Sequence, residues 1–293
     1  MKKKILALLL ALAMVFAFAA CGSDNGDSAN GGTPAAGGSA TPDNGGETAT
    51  GGKGVLRVGV KNAVVGFGYQ DPLTNEYEGM EIDLAHMIAD ALGYDSVEFT
   101  TVTAATRTEL LDSGDIDCVL ATFTITEERK QSWDFSTPYY SDPITVLVED
   151  SSGIKTLGDL VGKTVGVSSG STSAKALVTA LIDGGFIDGA GFDPDAFVID
   201  TWSDGVSFQQ YADYPAISTA LAAGEVDAFC VDRSILAIYK TTGRSYIDAT
   251  FSPQDYGVAT KKGSELSKPI DDLIKGWLED GTIAGLISNY NLD

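Results

Sequence analysis

Residues 111–118, LDSGDIDC, return 110 positions later as residues 221–228, LAAGEVDA. The leucine, the central glycine, the acid after it, a β-branched residue and an aspartate recur in the same order. Each copy reads as the end of a helix, a glycine that stops it, and a buried strand. The strands then run to polar residues at equivalent places, Thr122 in the first copy and Asp232 in the second. A second echo precedes them: VLRVGV at 55–60 and TVGV at 164–167 are short β-branched runs. Each leads through a glycine-containing loop into a predicted helix, over 82–92 stopping at Gly93 and over 173–183 stopping at Gly184 and Gly185. A strand-helix-strand plan used twice predicts two α/β lobes with parallel pairing in each. Ligands of such sheets bind outside the carboxyl ends of the strands.

The chain is expected to leave the first lobe along PITVLVED, residues 143–150, and to return along YGVATKK, residues 256–262. After the return, Pro269 marks a helix start, and Ile270, Leu273, Ile274, Trp277 and Leu278 fall on one helical face. Residues 54–146 and 252–293 are therefore assigned to lobe 1 and residues 147–251 to lobe 2, with two crossing segments as a hinge.

The first 53 residues are not core. Lys2, Lys3 and Lys4 precede an apolar run from 5 to 20, followed by FAACGS, the layout of a signal peptide over residues 1–20. A spanning anchor is the alternative, and the run is short for it, since a bilayer core takes about 20 residues. From 22 to 53 the sequence is mostly Gly, Ser, Thr, Ala, Asn and Asp with no large apolar residue, so it reads as a flexible tether spanning on the order of 30 Å. With a net charge of −22, nucleic acid is excluded as a partner. Cys118 and Cys230 lie in apolar runs and read as buried thiols rather than a disulfide. The lone histidine, His86, reads as a surface or boundary residue of a helix, and no metal site or cofactor is expected.

The stretch ATFTITEERK, residues 121–130, places polarity at the end of a core strand. Thr126 reads as an N-cap, with Glu127 and Glu128 in the first turn. Thr122 and Thr124 share a strand face, and Arg129 lies one turn into the following helix. A guanidinium fork suits bidentate capture of a carboxylate; a surface ion pair is the plainer alternative. Asp232, at the matching place in the other copy, supplies an anion for an ammonium group, or else caps the helix RSILAIY. Gly170, Ser171 and Thr172 sit at a helix N-terminus, a natural anion site without the Gly-Lys-Ser/Thr of a P-loop.

GMEIDLAHMIADALG, ATFTITEERK, DFSTPYY, VGVSSGSTS and GEVDAFCVD together resemble the solute-binding proteins of polar amino-acid ABC importers, the bacterial extracellular solute-binding family 3. The resemblance implies a type II periplasmic-binding fold, an amino acid held between lobes, and delivery to a membrane permease. It assigns the α-carboxylate to Arg129 with Thr124 and Thr172, the α-ammonium to Asp232 with Thr122, and the ligand's apolar stem to Phe67. Lys61, Arg107 and Tyr214 match positions that contact a side-chain carboxylate in aspartate- and glutamate-binding members. A second buried carboxylate needs a second cation, which Lys61 and Arg107 supply; ordinary surface charge is their alternative. FAAC resembles a lipobox, which makes Cys21 a lipidated N-terminus and the protein a membrane-anchored, extracytoplasmic monomer. Glutamine and other polar amino acids remain open as ligands. A dehydratase acting on small cyclic acids shares the fold, but no histidine, cysteine pair or nucleophile dyad occupies the motif positions. A receptor's sensor domain is the third reading, and it requires a following membrane or signalling segment.

Overall fold

The repeated aspartates do the same structural work in both copies. Asp117 accepts the backbone N–H of Arg57 at 2.9 Å while its own N–H donates to the Arg57 carbonyl at 2.7 Å. Asp227 accepts the N–H of Thr164 at 2.8 Å and donates to the Thr164 carbonyl at 2.8 Å. Each thus ties the start of its strand to the start of the parallel neighbour. The helices ahead of them, Thr106–Ser113 and Tyr214–Ala223, both end on a left-handed glycine, Gly114 (φ 84°) and Gly224 (φ 71°), whose caps satisfy the last carbonyls.

The computed structural model describes residues 52–293; the expected signal peptide, the expected lipidation at Cys21 and nearly all of the expected tether lie outside them. Two main sheets organise the chain. The first runs in the order Ser96–Thr101, Val55–Val60, Cys118–Leu120, Ala259–Lys261, Trp133–Phe135, with the first three strands parallel and the last two antiparallel to their neighbours. The second runs Ser207–Tyr211, Thr164–Ser168, Ala228–Asp232, Tyr140–Glu149, Arg244–Tyr246. Parallel pairing therefore holds for the repeated unit, while the strands outside it are antiparallel. A small third sheet joins Ala63–Val64, Gly68–Gln70 and Tyr77–Glu78.

The crossing strands, Tyr140–Glu149 and Phe251–Tyr256, pair antiparallel with each other from Tyr140↔Tyr256 to Ile144↔Phe251, and both belong to the second sheet. The chain changes sheet between Phe135 and Tyr140 going out and between Tyr256 and Ala259 coming back. These points precede the expected boundary at 146/147 and follow the one at 251/252, because a backbone ladder, with a register shift between Phe251 and Gln254, carries the crossing strands into the second sheet. Apolar side chains of the helices Met80–Leu92 and Ser267–Glu279 cover the first sheet, and those of Ser173–Asp183 cover the second. Ile270 and Ile274 are buried as expected, but Leu278 is 39% exposed, because only part of that helical stripe reaches the sheet. His86 is exposed and edge-on to Phe99. Cys118 and Cys230 are buried free thiols in different sheets. No helix among the described residues is long and apolar enough to cross a membrane.

Asp117 also receives the Arg57 guanidinium, through Nε and Nη2, whereas Asp227 is more exposed and holds only a backbone N–H. Asp117→Ala is expected to lower unfolding stability by about 1–3 kcal/mol, and Asp227→Ala by less. Equal losses in urea titrations of the two variants would contradict the assignment.

Candidate functional site

Thr126 caps the helix Glu127–Ser132 as expected, its hydroxyl accepting the Arg129 N–H at 3.1 Å. That cap turns the Arg129 side chain back towards the strand end. Nη1 donates to the Thr124 carbonyl at 2.7 Å, and Nη2 reaches across to the Gly170 carbonyl at 3.0 Å, on the side of the second sheet. The two sides meet closely here. Gly170 has φ 75°, and a Cβ on it would lie 2.8 Å from the Ala104 carbonyl oxygen, so only glycine allows the approach.

Arg107 enters from the second position of its helix and is buried. Its Nη1 donates to the Ala121 carbonyl at 3.0 Å and lies 3.4 Å from that of Thr122, while Nε has no partner. Both guanidiniums rest on the Phe123 ring, Arg107 at 3.7 Å and Arg129 at 4.8 Å from its centroid. Burial lowers the pKa of Arg107 to about 10 and that of Arg129 to about 9, where the neighbouring Arg107 charge adds to the effect. Lys61, one residue beyond Val55–Val60, is buried with Nζ 5.4 Å from the Tyr214 ring centroid, and its pKa falls well below the usual lysine value through burial and then Arg107. None of these three cations forms a salt bridge among the described residues.

Asp232 ends the strand Ala228–Asp232, is buried, and makes no side-chain cap bond to the helix Arg233–Leu236. The capping alternative fails because Asp142, on the crossing strand, takes the Ser234 N–H at 2.9 Å. Asp232 is left free for the cleft, held by the hydroxyl of Tyr256. Burial pushes its pKa up to about 7, with Asp142 adding and the Tyr256 hydroxyl pulling back; burial likewise lifts Asp142 to about 6.

Arg107, Thr122, Thr124, Arg129, Ser171, Thr172, Tyr214 and Asp232 line one narrow cavity between the sheets. Lys61 lines an adjoining space that shares Tyr214 as a wall. Three buried hydroxyls of this cavity, Thr122 Oγ1, Ser171 Oγ and Ser173 Oγ, have no partner, whereas the Thr172 hydroxyl donates to Gln254 at 2.6 Å. Unpaired polar atoms gathered around one space mark a place that a polar molecule satisfies. Phe67 does not join them. It has no exposed surface and packs edge-on against Tyr140 at 5.0 Å and Tyr256 at 5.8 Å, because a three-ring cluster buries its apolar surface better than a charged cleft does. The aromatic wall of the cavity is Tyr214.

With this geometry in view, residues 56–293 match the sequence profile of the bacterial extracellular solute-binding proteins, family 3. The chain belongs to that family. This solute-binding protein is 36% identical over 234 residues to the ABC transporter glutamine-binding protein GlnH of Bacillus subtilis (strain 168), covering 76% of each chain. It is 28% identical over 252 residues to the glutamate-binding protein GluB of Corynebacterium glutamicum, covering 80% of this chain and 78% of that one. Among solved structures, an ancestral arginine-binding protein bound to arginine superimposes with a TM-score of 0.67 at 32% identity, covering 81% of this chain and 98% of that one. The fold is the type II periplasmic-binding fold.

Sequence reasoning missed four residues that hold the solute-binding protein's site together. Glu81, Asp142 and Tyr256 are buried polar groups, and Phe123 is the shared platform of two arginines. Glu81 falls one residue before the helix expected over 82–92 and Asp142 one residue before the crossing segment expected over 143–150, while Tyr256 opens a segment that reads only as a crossing.

Between the ordinary aspartate range near pH 4 and pH 7, folded Asp232 keeps a proton that the unfolded chain has lost, and Asp142 adds the same sign up to about 6. The native state then binds more protons than the unfolded one, so stability falls as pH rises through this window. The melting temperature of the ligand-free protein is expected to drop from pH 5 to pH 7.5, with a shallower slope in Asp232→Asn. An unchanged slope would remove Asp232 from this role.

Proposed function

We propose that this solute-binding protein captures an acidic amino acid, glutamate or aspartate, between its two sheets and hands it to an ABC importer. The observation that carries the proposal is a charge count. In the lining of the cavity, buried Arg107 and half-buried Arg129 face a single carboxyl, Asp232, which leaves an excess of one positive charge when all are ionised; buried Lys61 stands beside Tyr214, and the buried carboxyls Glu81 and Asp142 lie behind the lining. A zwitterionic amino acid leaves that excess in place, whereas a ligand with a second carboxylate neutralises it.

The α-carboxylate is assigned to Arg129 with Thr124 and the helix start at Ser171 and Thr172, and the α-ammonium to Asp232 with Thr122. The side-chain carboxylate is assigned to Arg107 and Lys61, with Tyr214 beside it. The carbonyls of Thr124 and Gly170 occupy two N–H groups of Arg129, which leaves three of its five donors for a ligand. Binding draws the two halves together about the crossing strands and proceeds without turnover of the ligand. Glutamine is the second reading, favoured by the similarity to the Bacillus subtilis glutamine-binding protein. It corresponds to a neutral Lys61, towards which burial drives that side chain.

Titration calorimetry with glutamate, aspartate and glutamine separates the two readings, and tighter binding of glutamine than of either acid overturns the acidic one. Arg107→Ala is expected to weaken glutamate by roughly a hundredfold while affecting glutamine much less. Equal losses would remove Arg107 from the side-chain subsite.

We further propose that Cys21 is lipidated after removal of residues 1–20, holding a monomer at the outer face of the cytoplasmic membrane on the 22–53 tether. Cys21→Ala is expected to move the protein from the membrane fraction into the medium of expressing bacteria. Retention in the membrane fraction would contradict the anchor.

A further inference from the structure

Glu81 is a buried acid that the binding scheme above does not use for contact. It stands at the second position of the thirteen-residue helix Met80–Leu92, has no exposed surface, and does not line the cavity. Its Oε1 accepts the Thr122 N–H at 2.7 Å and the Tyr139 hydroxyl, while Oε2 is buried with no partner. On the other side of the same residue, Arg107 Nη1 lies 3.4 Å from the Thr122 carbonyl. One residue therefore separates the carboxylate from a buried guanidinium. Thr122 is β-branched and held at φ 45°, a conformation such residues avoid, and the bond to Glu81 fixes it there with its hydroxyl among the unpaired groups of the cavity.

Burial raises the pKa of Glu81, while the bonds from Tyr139 and Thr122 and the fields of Lys61 and Arg107 oppose it and favour the carboxylate; those two cations lack any salt-bridge partner among the described residues. The helix N-terminus also favours negative charge at this position. A ligand's side-chain carboxylate placed beside Lys61 and Arg107 meets cations whose charge Glu81 already offsets in part. We propose that Glu81 is a specificity-determining residue: it acts without touching ligand, as a fixed countercharge that competes with the ligand's side-chain carboxylate for Lys61 and Arg107. It moderates the preference for an acid over its amide and positions Thr122 at the same time.

The inference deepens the acidic reading but is tested by a ratio, so the two can fail separately. Glutamate and glutamine affinities are measured by calorimetry for the wild type and for Glu81→Gln, which keeps an acceptor for the Thr122 N–H and the Tyr139 hydroxyl while removing the charge. The preference for glutamate over glutamine is expected to shift about tenfold towards glutamate, whichever ligand the wild type prefers. A purely structural role weakens both ligands alike and leaves the ratio unmoved, which overturns the proposal, as does a shift towards glutamine. Wild-type preference for glutamine would overturn the acidic reading and leave this test standing. Glu81→Asp provides the second arm, and it keeps the proposal open to refutation should Glu81→Gln not fold. It keeps the charge and shortens the reach, so both affinities are expected to fall together at constant ratio, and a changed ratio overturns the proposal.

Discussion

Everything at the cleft follows from two buried cations and a third, half-buried one, within one small region. Arg107, Arg129 and Lys61 sit where water does not solvate them freely, and each buried charge costs several kcal/mol unless partners replace its hydration. The protein meets this demand with carbonyl oxygens from strand ends, the face of Phe123, and two carboxyls placed on opposite sides. None of these partners is a salt bridge to a cation. The cations remain incompletely matched, as the proposed acidic ligand requires.

The two sheets deliver these groups because parallel strands bring their carboxyl ends to a common edge. Cys118–Leu120 leads to Thr122 and Thr124, and Ala228–Asp232 ends on its own aspartate. The tie from Asp117 to Arg57 and from Asp227 to Thr164 fixes the register at the opposite ends of these strands. Register errors there would carry the cleft residues with them, since a one-residue slip turns each side chain to the other face. The crossing strands contribute chemistry as well as connection. Tyr256 holds Asp232, and Asp142 takes over the capping of the following helix, which frees Asp232 for the cleft.

Several sequence expectations held for definite physical reasons. The Thr126 cap and the glycine stops are local, because the bonds that make them lie within one turn. The repeat at 110 residues was legible because the same backbone problem recurs in both copies. Phe67 and the lobe boundaries came out differently. The destination of Phe67 depends on where Tyr140 and Tyr256 lie, and those rings come from segments far away in the chain. The boundaries depend on which sheet the crossing strands pair with, and hydrophobic pattern alone does not distinguish two sheets.

The sequence by itself determined the α/β plan, the duplication, the resemblance to amino-acid-binding proteins and most of the residues that meet at the cleft. These rest on periodicity, glycine stops and ordered motifs, all of which are properties of neighbouring residues. Only the tertiary structure decided that Asp232 is not a helix cap, that Phe123 carries two guanidiniums, and that the buried Glu81 carboxyl stands behind Thr122 and accepts its N–H. Those facts are about pairs of groups brought together across tens of residues, and the energy of a buried charge is set by such neighbours rather than by its own place in the chain.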